Sequence, residues 1–181
     1  MRLPSRLNFQ LKFRNITIYF MISASQTLEG ITSKVSEDNQ GGKHIILLDL
    51  EPKFNPSLER VVEALRKVQF AYNLGDIYIT SDAEGSYRAW CFSVRPWTTY
   101  LRIMLDLIDY GVLDYSFYFW GVKRGQSTLR TSNKLKRPPQ TVVAFLEGFE
   151  PTEIPAKLKR VLYDTGIEKR GLVLRFPFKR A

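Results

Sequence analysis

Four consecutive apolar residues, Ile45-Ile46-Leu47-Leu48, run into Asp49-Leu50-Glu51 and stop at Pro52. Side chains alternate across a strand, so a strand apolar on both faces has to be covered on both. That places residues 45–48 in the interior of a sheet. The same alternation puts Asp49 and Glu51 on one face, two residues apart, at the end of the buried run. Two carboxylates so placed repel each other unless a cation or a basic group stands between them. The rest of the chain must be arranged round this strand.

Asn55-Pro56 reads as an N-cap and first helical residue, and Leu58, Val61, Val62, Leu65 and Val68 continue at helical spacing to Asn73-Leu74-Gly75. Asp76–Thr80, the turn Asp82–Gly85 and Ser86–Val94 predict a hairpin. Pro96 opens a helix whose stripe is Trp97, Tyr100, Leu101, Met104, Leu105 and Ile108, ended by Gly111. Strands are expected at Tyr115–Val122, Ser127–Thr131 and Thr141–Phe145, and a short helix at Pro155–Thr165. The core order is β-α-β-β-α-β-β. An α+β fold with an antiparallel or mixed sheet and helices on one face accommodates it.

The 181 residues divide into a lead-in, 1–43, and one domain, 44–181. The lead-in holds a strand over Leu7–Phe20 and a Ser, Thr, Gln and Gly-rich loop over Ser23–Gly42; Met21 is an alternative start. A net charge of +9 favours anionic partners, nucleic acid before anionic membrane. One cysteine, Cys91, excludes an intramolecular disulfide and any cysteine-rich metal site; in Ala89-Trp90-Cys91-Phe92 it reads as a packing residue. His44 is the single histidine, which excludes a histidine cluster. No apolar run reaches membrane-spanning length. A cytoplasmic protein with no membrane partner is the expectation.

Oxygen-rich carboxylate sites of the Asp49/Glu51 kind take Mg²⁺ or Mn²⁺, with phosphates completing the shell. The plainer alternative has both residues capping the exposed end of a strand. Asp114, after Gly111, is either a turn aspartate or a third carboxylate. Tyr115 to Trp120 is almost wholly aromatic and offers rings for packing or base stacking. From Tyr115 to Leu146 there is no acid, while Lys123, Arg124, Arg130, Lys134, Lys136 and Arg137 fall within it. With Thr131, Ser132 and Asn133 interleaved, that mixture suits phosphate oxygens. Arg88 shares a strand face with Ser86 and wants an anion: Glu84, Asp49 or a phosphate.

In this order the residues resemble the archaeo-eukaryotic primase (primase–polymerase) superfamily. Asp49-Leu50-Glu51 matches its acidic pair, Ser86-Tyr87-Arg88 matches its S-x-H in part, and Leu113-Asp114 matches its hydrophobic-Asp step. Leu129-Arg130-Thr131-Ser132-Asn133-Lys134 is similar to its downstream basic segment. The match spans His44 to Arg137. The resemblance implies an RRM-like core sheet with helices. It also implies Asp49, Glu51 and Asp114 as catalytic metal ligands, and Ser86, Arg88, Arg130, Ser132 and Lys134 on the nucleotide phosphates. Lys123, Arg124, Lys136 and Arg137 are the expected nucleic-acid contacts. The implied partners are a single-stranded or primed DNA template, nucleoside triphosphates, and a helicase or another replication protein.

Position 88 departs from the family, with arginine where histidine is usual. Arginine supplies charge and a planar fork but no titratable imidazole. The implied function is a metal-dependent DNA primase or polymerase of a mobile element or similar module. The alternatives are a non-catalytic relative that binds nucleic acid and an unrelated RRM-like binder.

Overall fold

The structure, a computed structural model, describes residues 6–13, 16–23, 27–36, 41–50, 55–83, 85–131, 138–149 and 160–164. Its strands are β1 (Arg6–Phe13), β2 (Ile16–Ser23), β3 (Thr27–Thr32), β4 (Lys34–Ser36), β5 (Lys43–Leu50), β6 (Ile77–Ala83), β7 (Ser86–Pro96), β8 (Thr128–Arg130), β9 (Thr141–Leu146) and β10 (Arg160–Asp164). Its helices are α1 (Leu58–Ala71), α2 (Trp97–Asp109) and α3 (Tyr115–Arg124). The chain divides into two units, Met1–Leu28 with Leu162–Ala181, and Glu29–Val161.

In the first unit β1 and β2 pair antiparallel from Arg6↔Ser23 to Phe13↔Ile16. One strand was expected over Leu7–Phe20; the region instead holds two antiparallel strands, with Leu11 opposite Ile18.

The second unit is built on a five-stranded sheet in the order β4-β5-β7-β6-β9, with every neighbouring pair antiparallel. The apolar strand β5 is interior, as its composition requires. Alternation divides its side chains. Ile46, Leu48 and Leu50 pack with α1 and α2 residues such as Val61, Leu65, Ile103 and Leu107. Ile45 and Leu47 pack on the other face with Leu129, Ile31, Trp90 and Phe92. That second face is crossed by β8, which pairs antiparallel with β3 from Gly30↔Arg130 to Thr32↔Thr128. Helices α1 and α2 thus cover one face of an antiparallel sheet, as expected, and β8 lies against the other.

Two buried polar side chains hold β5 in place. Tyr100 of α2 accepts a hydrogen bond from Leu47 N and donates one to Leu47 O. His44 Nε2 donates to Gly41 O at 3.0 Å, and its Nδ1 meets Ser33 Oγ at 2.9 Å. Ser33 Oγ also accepts from Ser127 N, which leaves its hydroxyl proton for the ring. The single histidine is therefore a joint between segments, stacked 4.5 Å from Trp97. Cys91 is buried, as its apolar context predicted, and burial pushes its thiol pKa up.

Several expectations are corrected. Tyr115–Val122 is helix α3, not a strand. Asp114 caps it, accepting from Ser116 N at 2.6 Å, and Gly125 ends it with φ +65°. These two caps, with Phe117, Tyr118 and Gly121 turned inward at helical spacing, override the β preference of the aromatic residues. The core order becomes β-α-β-β-α-α-β-β. The cap of α1 is Ser57, whose Oγ accepts from Arg60 N; Asn55, predicted for that place, has a left-handed φ of +46°. Residues 27–36, expected within a loop, form β3 and β4. Leu105 is exposed, and Ile103 and Leu107 complete the buried stripe of α2. Residues 160–164, expected in a helix, form strand β10; the rest of Pro155–Thr165 lies outside the described residues.

Candidate functional site

β5 and β7 run antiparallel with Asp49 opposite Arg88, and β6 brings Thr80 opposite Arg88 from the other side. Alternation carries Asp49 onto the face that holds Ile45 and Leu47, the face β8 covers. The apolar half of that face gives way to charge at its Asp49 end.

The centre of the charged group is Asp82. It lies where the register of β6 against β7 shifts between Ser81 and Ala83, a bulge that re-aims a side chain. Its Oδ1 accepts from Ser86 Oγ at 3.1 Å. Its Oδ2 accepts from Arg130 Nη2 at 3.1 Å and stands 3.7 Å from Arg88 Nη2. Arg88 Nε faces Asp49 Oδ1 at 3.5 Å. Arg88, Asp82 and Arg130 are 3%, 5% and 7% exposed, whereas the Asp49 side chain is 37% exposed. Two guanidinium groups thus share one buried carboxylate, and Asp49 balances the charge at the rim.

Removing charges from water costs several kcal/mol per ion, so such a group holds only when each charge is met. Among the described residues, Arg88 Nη1 is buried with no hydrogen-bond partner. Beside it, Trp90 Nε1 donates to Thr80 Oγ1 at 3.0 Å, Thr80 donates to Gln140 Oε1 at 3.3 Å, and Gln140 Nε2 is again buried without a partner. Both surplus groups are donors. The complement of a buried donor is an acceptor.

The sequence-selected residues Asp49, Ser86, Arg88 and Arg130 are therefore brought together, although they span 49 to 130 in the chain. Asp114 is not in that group; it caps α3. Lys123 and Arg124 lie in the last turn of α3. Glu51, Ser132, Lys134, Lys136 and Arg137 lie outside the described residues. Among the described residues no three His, Cys, Asp or Glu side chains group to hold a metal ion. The Arg88 guanidinium also competes with any cation for Asp49. The described donor set does not by itself fit a two-metal centre.

Asp82 is the functional candidate that sequence reasoning missed, since Asp82-Ala83-Glu84-Gly85 reads as a turn. Its signal is a second arginine, Arg130, in a stretch from Tyr115 to Leu146 that holds no acid of its own. Compared with protein-family models, curated proteins and solved structures, the chain matches none.

Proposed function

We propose that this chain works on nucleic acid as a primase–polymerase-type protein, and that nucleotide phosphates bind at the Asp49 end of β5. The observation that carries the reading is the convergence of Asp49, Ser86, Arg88 and Arg130 on one sheet face around Asp82. Ser86 and Arg88 hold the positions of the S-x-H element. Arg130 opens the basic segment that runs on to Ser132 and Lys134. The net charge of +9 agrees with a polyanionic partner. In its finer form the proposal is DNA-directed nucleotidyl transfer from nucleoside triphosphates; the Mg²⁺ or Mn²⁺ that this chemistry uses would fall to Asp49 and Glu51, because Asp114 caps α3.

One observation favours a second reading within the same fold, binding without catalysis. Arg88 already engages Asp49, the residue the transferase reading needs for a cation.

Primer extension on a single-stranded template, with labelled nucleotides and Mn²⁺ or Mg²⁺, separates the two. The wild type is compared with Asp49→Ala/Glu51→Ala, and DNA binding is measured in parallel. Metal-dependent product that disappears in the double variant supports transfer. DNA binding without product in either protein supports the binding reading. Neither product nor binding by the wild type removes both.

A further inference from the structure

Helix α3 turns an apolar face to solvent. Tyr115 is 61% exposed and Trp120 43%, and Phe119 and Val122 are exposed beside them. Phe117, Tyr118 and Gly121 take the inward positions, so the outward rings are surplus to the core. An apolar stripe on the wet side of a helix marks a contact surface. Its chemistry is specific. Lys123 Nζ lies 5.1 Å and the Arg124 guanidinium 5.4 Å from the centre of the Trp120 ring, and Phe119 meets Trp120 edge-on at 5.5 Å. Tyr115–Arg124 contains no acid; Asp114, the residue before it in sequence, is the N-cap at the opposite end from the two cations.

We infer that the exposed face of α3 is a docking surface for single-stranded nucleic acid, with bases stacking on Trp120 and Phe119 and phosphates meeting Lys123 and Arg124. This inference rests on the reading above that the chain works on nucleic acid, and it names where a strand lies. Aromatic rings receive any base, because every base has a π-face, and adjacent cations track the backbone. Charge complementarity selects this occupant over a second copy of the chain. Two copies meeting through α3 would bring both Lys123 and both Arg124 side chains together across a helix that carries no acid of its own.

The test uses the full chain and a fluorescent oligo-dT, read by anisotropy across a salt series. Trp120→Leu keeps an apolar residue at an exposed site, so the thermal midpoint is expected to hold. Binding is expected to weaken about tenfold, within the range for loss of one base–aromatic stack. Lys123→Gln/Arg124→Gln is expected to reduce the slope of log K against log salt by about 1.4, at ~0.7 per phosphate contact on a single strand. Wild-type binding that survives unchanged in both variants overturns the α3 surface and leaves the functional reading standing. Absence of wild-type binding overturns both. A Trp120→Leu protein that loses dimerisation in sedimentation but binds oligo-dT normally marks the face as a self-interface and overturns the inference.

Discussion

Arg88 is the residue on which most of the site depends. It sits between Asp49 and Asp82 and is almost completely buried, so its charge is met by side chains rather than by water. Asp82→Ala leaves Arg88 and Arg130 without their shared carboxylate. Urea unfolding is expected to show a loss of about 3–5 kcal/mol, the cost of breaking a buried ion pair from one side. An Asp82→Ala/Arg130→Met cycle is expected to give a coupling energy above ~0.5 kcal/mol, as for residues in one network.

Tyr100→Phe tests a different kind of dependence, because it strips Leu47 N and O of their common partner. A loss of roughly 1–3 kcal/mol is expected, the penalty for leaving buried backbone groups unpaired. Tyr72 supplies the pH response. Burial first, then its hydrogen bond to Asp106 Oδ2 at 2.6 Å, pushes its phenol from 10.0 up to about 12. The folded state thus holds the proton more tightly than the unfolded state. The contribution is complete below the unfolded value and is lost as pH rises through the interval from 10.0 to about 12. Stability measured across that interval is expected to fall less steeply in Tyr72→Phe than in the wild type.

At the scale of the element, α3 shows how local ends override composition. Its rings favour a strand, but Asp114 and Gly125 define where a helix starts and stops. Asp114→Ala is expected to cost about 1 kcal/mol, the usual worth of an N-cap, whereas Asp114→Asn keeps the cap and nearly all the stability. If Asp114→Asn also extends primers like the wild type, its metal-ligand role falls and only the cap remains. The β6–β7 turn has an equally local requirement. Gly85 has φ +72°, and a Cβ there would lie 1.3 Å from Asn55 Oδ1. Gly85→Ala has to turn the Asn55 side chain aside and strains the turn, and it is expected to lower the thermal midpoint. The elements with clear periodicity, β5, α1, β6, β7 and α2, were legible because each buries one repeating set of side chains. The short strand β3 was not, because its partner β8 lies about a hundred residues away, and β4 has only three residues in which to show a pattern.

At the scale of the whole molecule, the sequence by itself determined an α+β chain with one wholly buried strand. It also determined a surplus of nine positive charges and a carboxylate at the end of that strand. Those follow from alternation, helical spacing and composition, which are local or additive. Only the tertiary structure decided that β8 crosses the second face, that Arg130 reaches Asp82, and that Asp82 turns inward at a bulge to serve two arginines. It also decided that the aromatic run presents its rings to solvent along a helix. Each of these depends on which distant segment lies opposite a side chain, and a buried charge is tolerated only where the fold supplies its counter-charge. The pattern of a single segment carries no information about that partner.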